Sequence, residues 1–370
     1  MMTLNRVLVG VLLVVLGGVL HFALAQQPTA PAGAGVTIDD DATIHLPPIS
    51  VPFSEFASAE AKASFLRVAR FYQQRAVAST IADQRKSSNL QMQPALNRTR
   101  ALYPANSVLT VIGGVETEVI TPKDGIAPRN EHRVLINLHG GAFLLGAHII
   151  GPIESMPLAS LGKIKVVSVE YRQGPENHFP AASEDVAAVY RELLKTYKPQ
   201  NIGIYGCSAG GVLTAEVTVW IAQHNLPRPG AIGIFCASAG GWQGGDSATL
   251  ALPLTGINPE PDDTAPPHPS ISNAAYFINT NFNDPAVEPL HFPAVLAQFP
   301  PTLIITSTRD TALSPAVYTH SQLVKLGVDA ELHVWEGLFH GFFTTDPDLP
   351  ESREVWDVAT HFFDRHLGTN

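Results

Sequence analysis

The stretch that most constrains this chain is residues 205–211, which read Tyr-Gly-Cys-Ser-Ala-Gly-Gly. It follows a short apolar run at 201–204 and leads into a run at 212–215 that is compatible with a helix. A Gly-x-Ser-x-Gly sequence between a strand and a helix is typical of a tight turn that exposes a serine hydroxyl. The glycines two residues before and two residues after Ser208 let strand and helix approach the turn closely. The stretch therefore predicts a nucleophilic serine, and other parts of the chain must supply its partners.

Size and charge limit the kinds of protein that this chain can be. It has 370 residues, of which 45% are hydrophobic and 15% charged, enough for one large α/β domain or two small ones. The net charge of -10 and the pI near 5.7, with no cluster of Lys and Arg, argue against a nucleic-acid partner. No metal-ligand spacing occurs, so we expect neither a metal nor a cofactor. The expected partner is a small-molecule substrate, and the oligomeric state is left open.

The first residues predict a signal peptide over 1–25. Arg6 supplies a positive charge, residues 7–20 an apolar segment, and Ala-Leu-Ala at 23–25 a cleavage site. The alternative is an uncleaved membrane anchor, but the glycine pair at 17–18 shortens the apolar run below the roughly 20 residues of a comfortable span. We therefore expect an exported protein, periplasmic or secreted, with no stable membrane insertion after cleavage.

Three segments follow the predicted signal peptide. Residues 26–53 are rich in Pro, Ala, Gly and Asp without periodicity, and predict a linker. Residues 54–106 are expected to form N-terminal cap helices, because apolar residues recur at helical spacing over 54–78. That spacing is equally compatible with an ordinary packing helix and with a lid over a cleft. Residues 107–370 are expected to form an α/β catalytic domain, into which about 240–300 is inserted as further cap with short helices.

Apolar runs alternate with helical patterns along this last segment. Such alternation predicts a mostly parallel central sheet flanked by helices, with its functional site at the carboxyl ends of the strands. The predicted strands are 108–112, 116–121, 134–138, 165–171, 201–205, 231–236, 303–307 and 331–335. The predicted helices are 181–197, the helix from the serine to 223, 315–326 and 351–366.

A serine hydroxyl becomes nucleophilic when a base takes its proton and an acid orients that base. In chains with this kind of turn, the order is serine, acid, histidine. Asp310 and His340 follow the last two predicted strands in that order, so both are expected at the same edge of the sheet as Ser208. Glu336 and Asp346 compete as acids, although neither lies directly after the penultimate strand. Helix capping by Asp310 and ordinary burial of His340 are the alternatives to a catalytic triad.

A second glycine-rich segment follows the strand that ends at Leu138. It reads His-Gly-Gly-Ala-Phe at 139–143. Acyl transfer builds negative charge on the substrate oxygen, so backbone N–H donors must point at that oxygen. The segment can supply such donors, and so can Ala209, directly after the serine. The alternative is a plain tight turn.

These motifs together resemble the hormone-sensitive-lipase-like branch of the α/β-hydrolases, from about residue 107 to the C-terminus. The matching residues are 139–143, Tyr171-Arg172 with Pro175-Glu176, 206–211, Asp284-Pro285 to Pro289-Leu290, Asp310 and His340-Gly341-Phe342. The resemblance implies an α/β-hydrolase fold with a helical cap. It also implies a carboxylesterase with Ser208 as nucleophile, His340 as base and Asp310 as orienting acid. The N–H groups of Gly140, Gly141 and Ala209 are implied to form the oxyanion hole.

The chain departs from the usual pattern of that branch at three places. Ala142 stands where a third glycine is usual, Cys207 where an acidic residue is usual, and Gln173-Gly174 where two apolar residues are usual. None of the three removes a catalytic group. Cys207 and Cys236, the two cysteines of the chain, are expected to be buried thiols, with a disulfide as the alternative.

The sequence as a whole predicts a serine carboxylesterase that hydrolyses short- to medium-chain acyl esters through an acyl-enzyme. The same triad would also suit a lactonase, a polyester-fragment hydrolase or a peptidase. A non-catalytic hydrolase-like binding protein is the alternative from another class. Trp242, Phe143 and Phe339 are candidates for an acyl pocket, although aromatic side chains near a cleft are as well explained by packing.

Overall fold

The computed structural model describes residues 35–74, 80–241, 244–256 and 275–368. The chain divides into two compact units, Met1–Pro52 and Phe53–Asn370. In the first unit, β1 (Thr37–Ile38) and β2 (Ile44–His45) form a small antiparallel hairpin. The predicted signal peptide lies outside the described residues. No helix in the described part of the chain is both long and apolar enough to cross a membrane.

The second unit is built on an eight-stranded sheet with the strand order β10-β9-β8-β7-β5-β6-β4-β3. The six strands β5 to β10 run parallel to one another, whereas β4 pairs antiparallel with both β6 and β3. Their bounds are β3 Ala105–Ile112, β4 Val115–Pro122, β5 Val134–Leu138, β6 Lys165–Val169, β7 Ile202–Cys207, β8 Ala231–Phe235, β9 Thr302–Arg309 and β10 Ala330–Phe339. The mostly parallel sheet predicted from the sequence is confirmed, with strand ends that shift by a few residues.

Helices cover both faces of this sheet. The longer helices are α1 Ala59–Gln74, α2 Ile81–Leu102, α3 Ile150–Gly162, α4 Ala181–Leu193, α5 Ala209–Gln223, α6 Asp246–Leu254, α7 Leu313–Lys325 and α8 Pro350–His366. Short helical turns lie at Pro128–Asn130, Pro199–Asn201, Pro289–His291, Pro293–Leu296 and Phe342–Thr345.

The helix α3 was not predicted, and its environment explains why. Most of its residues are buried, from Gly151 to Ala159 and again at Gly162. A helix that is buried on all sides shows no amphipathic period. Pro152 and Pro157, which usually indicate a break, lie inside it. Sequence periodicity therefore gave no signal at the helix that turns out to lie beneath the functional site.

The central strands send alternate side chains into two apolar layers. Val134 and Ile136 of β5 join the layer covered by α4, α5 and α7, whereas Leu135 joins the layer covered by α3 and α8. Both layers are buried, as the near-continuous apolar run of β5 predicts. The strand ends are therefore held between two packed faces, and the loops that follow them start from fixed positions.

The two segments predicted to form the cap meet in the structure. The side-chain amide of Gln73, on α1, donates to the carbonyl of Gly256 at 2.9 Å, just beyond α6. At the other end of α1, Ser58 donates to the Glu351 carboxylate of α8 through its backbone N–H at 2.7 Å and its hydroxyl at 3.0 Å. That these segments act as a lid over the cleft stays a prediction.

Candidate active site

Ser208 lies on a tight turn between β7 and α5, as the sequence predicts. Its backbone has φ 58° and ψ -122°, a conformation that costs energy in any residue other than glycine. The Ser208 N–H donates to the carbonyl of Phe235 at 2.8 Å, and the Ser208 carbonyl accepts from Val212 at 3.0 Å. Position 210 has no room for a side chain, because a Cβ on Gly210 would lie only 1.7 Å from the carbonyl oxygen of Leu138. We refer to residues 206–210 as the serine turn.

The structure brings Ser208, His340 and Asp310 into one hydrogen-bonded chain. His340 Nε2 lies 2.9 Å from Ser208 Oγ, and His340 Nδ1 lies 2.8 Å from Asp310 Oδ1. Asp310 is fully buried and also accepts from the Ala312 N–H at 2.9 Å and the Thr306 hydroxyl at 3.2 Å. For Nε2 to accept the serine proton, Nδ1 must carry a hydrogen and donate it to Asp310. Asp310 thus holds the imidazole in the tautomer of a general base while it also caps the following turn.

The electrostatics of this pair favour a positive ring beside a negative carboxylate. Desolvation lowers the pKa of His340, but the Asp310 carboxylate outweighs it and raises the pKa to about 9. Desolvation raises the pKa of Asp310, but the attraction of His340 prevails and leaves that pKa below its ordinary value. Asp310 therefore stabilises the imidazolium that forms when the ring takes a proton.

The two competing acids lie elsewhere. Asp346 forms ion pairs with Arg67 of α1 and with Arg98 of α2, the latter at 3.4 Å. Glu336 is an exposed residue of β10. Of the three acids that the sequence allows, Asp310 is the one in contact with the histidine.

The glycine loop, residues 139–143, has an uncommon backbone. Gly141, Ala142 and Phe143 have φ values of 121°, 55° and 58°, so three successive residues lie in the left-handed half of backbone space. The Gly141 carbonyl accepts from the N–H groups of Leu144 and Leu145, at 3.0 Å and 2.9 Å. Consecutive N–H groups in such loops form a concave donor site for anions.

Packing of one aromatic ring holds this strained loop. Phe143 is 1% exposed and stacks on Tyr276, with ring centroids 4.7 Å apart. Its carbonyl accepts from the N–H of Gly174 at 2.8 Å. Phe143 is therefore a packing residue, the alternative to an acyl-pocket role. Trp242, another pocket candidate, lies outside the described residues.

The structure corrects one of the three predicted oxyanion donors. The Gly140 N–H donates to the Glu154 carboxylate at 3.1 Å, so it is turned away from the serine. The N–H groups of Gly141 and Ala142 have no acceptor among the described residues, and neither has that of Ala209 in the first turn of α5. The N–H groups of Gly141, Ala142 and Ala209 are therefore the ones that are available to an oxyanion. The sequence did not indicate this because the carboxylate that binds Gly140 comes from α3, the helix with no periodic signal.

Side chains of the segment after β6 support the glycine loop. The Tyr171 hydroxyl donates to the carbonyl of His139 at 2.6 Å, and the two rings stack with centroids 4.5 Å apart. Arg172 donates to the Asp185 carboxylate at 2.9 Å and pairs with Glu184. Both residues act as structural supports of the glycine loop and of the segment after β6.

Arg85 of α2 is a further support that the sequence did not reveal. Its guanidinium donates to the carbonyls of Leu144 and Gly174, at 2.9 Å and 2.8 Å. It also forms a bidentate pair with Glu176, at 2.8 Å and 2.7 Å. One side chain thus ties α2 to the end of the glycine loop.

Replacing Arg85 with alanine is expected to lower the free energy of unfolding by about 1–2 kcal/mol, because two carbonyls and a carboxylate lose a charged donor that is only partly exposed. Arg85→Lys should recover little of this, since an ammonium cannot make the planar bidentate contacts. Urea unfolding checks both variants. Arg70→Ala, at an exposed position of α1, is the control. Equal stability of the Arg85→Ala and Arg70→Ala proteins would contradict the role of Arg85.

Both cysteines are buried thiols and no disulfide joins them, as expected. Burial raises the pKa of Cys207 well above its ordinary value. A thiol in this state is a poor nucleophile. The sulfur of Cys207 is therefore a poor candidate for the reactive group at this turn.

Residues 135–344, more than half of the chain, match the alpha/beta hydrolase fold family. The chain therefore belongs to that family.

Proteins with similar sequences and structures indicate which group of α/β-hydrolases this chain belongs to. An acetyl-hydrolase of Streptomyces hygroscopicus is 28% identical over 265 residues, which cover 70% of this chain and 82% of the relative. An esterase of Acinetobacter venetianus is 24% identical over 280 residues, 72% of this chain and 86% of the relative. The crystal structure of an esterase from the bacterial hormone-sensitive lipase family matches with a TM-score of 0.71 and 25% identity, covering 84% of this chain and 100% of the other. The predicted resemblance to hormone-sensitive-lipase-like esterases is confirmed, and the chain is a carboxylic-ester hydrolase of this type.

Proposed function

We propose that this enzyme hydrolyses short- to medium-chain acyl esters through an acyl-enzyme formed on Ser208. The observation that carries the proposal is the chain of contacts from Asp310 to His340 to Ser208, at 2.8 Å and 2.9 Å. These three side chains lie beside the glycine loop, whose N–H groups at Gly141 and Ala142 have no acceptor among the described residues. Nucleophile, base, orienting acid and oxyanion donors are the parts that acyl transfer needs.

The geometry leads to a two-step reaction. His340 Nε2 takes the proton of Ser208 as the serine oxygen attacks the ester carbonyl carbon. The negative charge that develops on the carbonyl oxygen is stabilised by the N–H groups of Gly141, Ala142 and Ala209. The tetrahedral intermediate collapses, and the alcohol leaves with the proton from His340. Water then attacks the acyl-enzyme by the same route, which releases the acid and restores the serine.

Two observations support a small neutral ester as the substrate. The chain carries a net charge of -10, which disfavours polyanionic substrates. One relative is named an acetyl-hydrolase, which fits a preference for short acyl groups. Lactones, polyester fragments and peptide amides pass through similar tetrahedral intermediates and are the alternatives on the same triad.

A series of p-nitrophenyl esters from acetyl to dodecanoyl tests the proposed substrate class. We expect kcat/KM to be highest for acyl groups between acetyl and octanoyl, and to fall for longer chains. Parallel assays with a lactone, a soluble polyester oligomer and an aminoacyl p-nitroanilide test the alternatives. A higher kcat/KM on any of these three than on every ester would overturn the proposal.

Reaction with a fluorophosphonate probe separates an esterase from a binding protein. An activated serine displaces fluoride from phosphorus and keeps the phosphonyl group, whereas a serine without a base does not react. We expect one covalent adduct per chain, on the peptide that contains Ser208. Absence of an adduct on folded protein would favour the binding protein.

We also propose that the enzyme is exported after removal of residues 1–25. The support is the charge of Arg6, the apolar segment 7–20 and the small residues at 23–25. N-terminal sequencing of the protein from a fractionated producing cell should show a chain that begins at Gln26, outside the cytoplasm. A full-length chain in the cytoplasmic fraction would contradict export.

A further inference from the structure

Glu154 places a buried carboxylate where the glycine loop meets the serine turn. It lies on α3 and is 1% exposed. Its Oε1 accepts from the Gly140 N–H at 3.1 Å, and its Oε2 accepts from the side-chain amide of Asn137 at 2.8 Å. The backbone N–H of Cys207 is close enough to lower the pKa of the same carboxyl group. Two hydrogen bonds from the end of β5 and the loop after it, and the nearby N–H at the end of β7, thus converge on one side chain.

These hydrogen bonds are what make the burial of Glu154 tolerable. Glu154 forms no ion pair with any residue in the part of the chain that the structure describes. A buried carboxyl group without a cation is unfavourable unless donors satisfy its oxygens. Burial raises the pKa of Glu154 to about 8, although the hydrogen bonds from Asn137 and Gly140 and the nearby N–H of Cys207 oppose the rise. Burial of the Glu154 carboxyl group is therefore unfavourable, and a structural role at this position would account for it.

The glycine loop and the serine turn are in close contact beside Glu154. A Cβ on Gly140 would lie 3.0 Å from the carbonyl oxygen of Cys207 and 3.5 Å from the Cβ of Ser208. The loop backbone at Gly140 therefore rests against the serine turn, with the Glu154 carboxylate beside both. Any shift of Gly140 also moves the next two N–H groups relative to Ser208 Oγ. An oxyanion donor acts at about 2.7–3.1 Å, and a displacement of about 1 Å costs on the order of 100-fold in rate.

We propose that Glu154 is a positioning residue for the ester hydrolysis: it holds the glycine loop against the serine turn so that the N–H groups of Gly141 and Ala142 face the oxyanion formed at Ser208. The inference rests on the function proposed for this site. The residue directly before Ser208 is Cys207, so the buried carboxylate beside the serine turn comes from α3 and not from the turn itself.

The test compares Glu154→Gln with Glu216→Gln. Glutamine has nearly the same shape as glutamate, but its NH2 group would face the N–H of either Gly140 or Asn137 and break that hydrogen bond. Glu216 is fully buried on α5, and neither of its carboxylate oxygens has a hydrogen-bond partner among the described residues. Both variants therefore exchange a buried carboxyl group for an amide, but only Glu154→Gln disturbs the glycine loop.

Binding of an alkyl trifluoromethyl ketone reports on the oxyanion donors directly. Ser208 Oγ adds to the ketone carbon, the serine proton passes to His340, and the carbonyl electrons move to oxygen. The adduct is a tetrahedral oxyanion from which no group leaves. We expect Glu154→Gln to lower kcat and to weaken ketone binding by the same factor, about 10- to 100-fold, with KM for a p-nitrophenyl ester unchanged. Glu216→Gln should leave all three quantities within about twofold of the wild type.

The outcomes separate the role of Glu154 from general damage and from the function itself. Ketone binding that stays unchanged in folded Glu154→Gln would overturn the inference, whether or not kcat falls. If Glu154→Gln does not fold, Asn137→Ala removes one donor to the carboxylate and should show a smaller loss with the same pattern. Unchanged kcat and ketone binding in Asn137→Ala would then overturn it. A wild-type enzyme that neither hydrolyses the ester nor binds the ketone would instead refute the proposed function.

Discussion

Replacing Ser208 with alanine is expected to lower kcat/KM on a p-nitrophenyl ester by about 10⁵- to 10⁶-fold, since loss of a catalytic serine removes the whole covalent route. The Ser208 hydroxyl oxygen lies 2.9 Å from His340 Nε2, and no other hydroxyl contacts that ring nitrogen among the described residues. The fold should persist. The turn is held by backbone contacts to Phe235 and Val212 and by close packing of Gly210, none of which involves the serine oxygen.

Circular dichroism and the melting temperature check that the Ser208→Ala protein is folded before its activity is measured. Ser321→Ala is the control, because this serine is exposed on α7 and its hydroxyl donates only to the Val317 carbonyl, at 2.9 Å. The control should retain full activity and react with the fluorophosphonate. Substantial hydrolysis by purified, folded Ser208→Ala would mean that another group is the nucleophile.

Replacing Asp310 with asparagine is expected to lower kcat by about 10⁴-fold, because an amide in this place can stabilise the wrong tautomer of the histidine. The change should also move the pH dependence. The catalytic base must be neutral, and the Asp310 carboxylate raises the pKa of His340 to about 9. In the wild type, kcat/KM should therefore rise with pH and level off above that value. Without the carboxylate, the remaining desolvation lowers the pKa, so the residual activity of Asp310→Asn should level off at lower pH.

Profiles of kcat/KM between about pH 5 and pH 10 check both parts of this expectation. The matched control is Asp346→Asn, since Asp346 is also a buried carboxylate but follows β10 instead of β9 and is paired with Arg67 and Arg98. Its profile should rise at the same pH as that of the wild type. A profile of Asp310→Asn that coincides with that of Asp346→Asn would show that Asp310 does not control the base.

The order of the candidate residues along the chain was enough to choose among acids. Asp310 was preferred to Glu336 and Asp346 because it directly follows a predicted strand, and the structure places it 2.8 Å from His340. The reasoning succeeded because parallel strands end at the same edge of a sheet, so residues that follow different strands converge there. The same logic located Ser208 and the glycine loop.

The sequence was less informative wherever a contact depends on a buried helix or on a long side chain. The helix α3 has no amphipathic period, so neither it nor the role of Glu154 could be predicted. Unless the position of the Glu154 carboxylate is known, the sequence does not reveal that the Gly140 N–H is already hydrogen-bonded whereas those of Gly141 and Ala142 are not. Arg85 presents the same difficulty, because its partners lie 59 and 89 residues further along the chain.

The sequence by itself thus determined the class of fold, the strand and the helix that flank the serine turn, and the three side chains that carry the proposed chemistry. These follow from short-range patterns: the period of the strands and the spacing of glycines on either side of Ser208. Only the tertiary structure decided which N–H groups of the glycine loop remain free. The Gly140 N–H is not free because the Glu154 carboxylate lies within hydrogen-bond distance of it, at 3.1 Å. Its position is set by the packing of α3 against the sheet, and packing is a property of residues far apart in the chain.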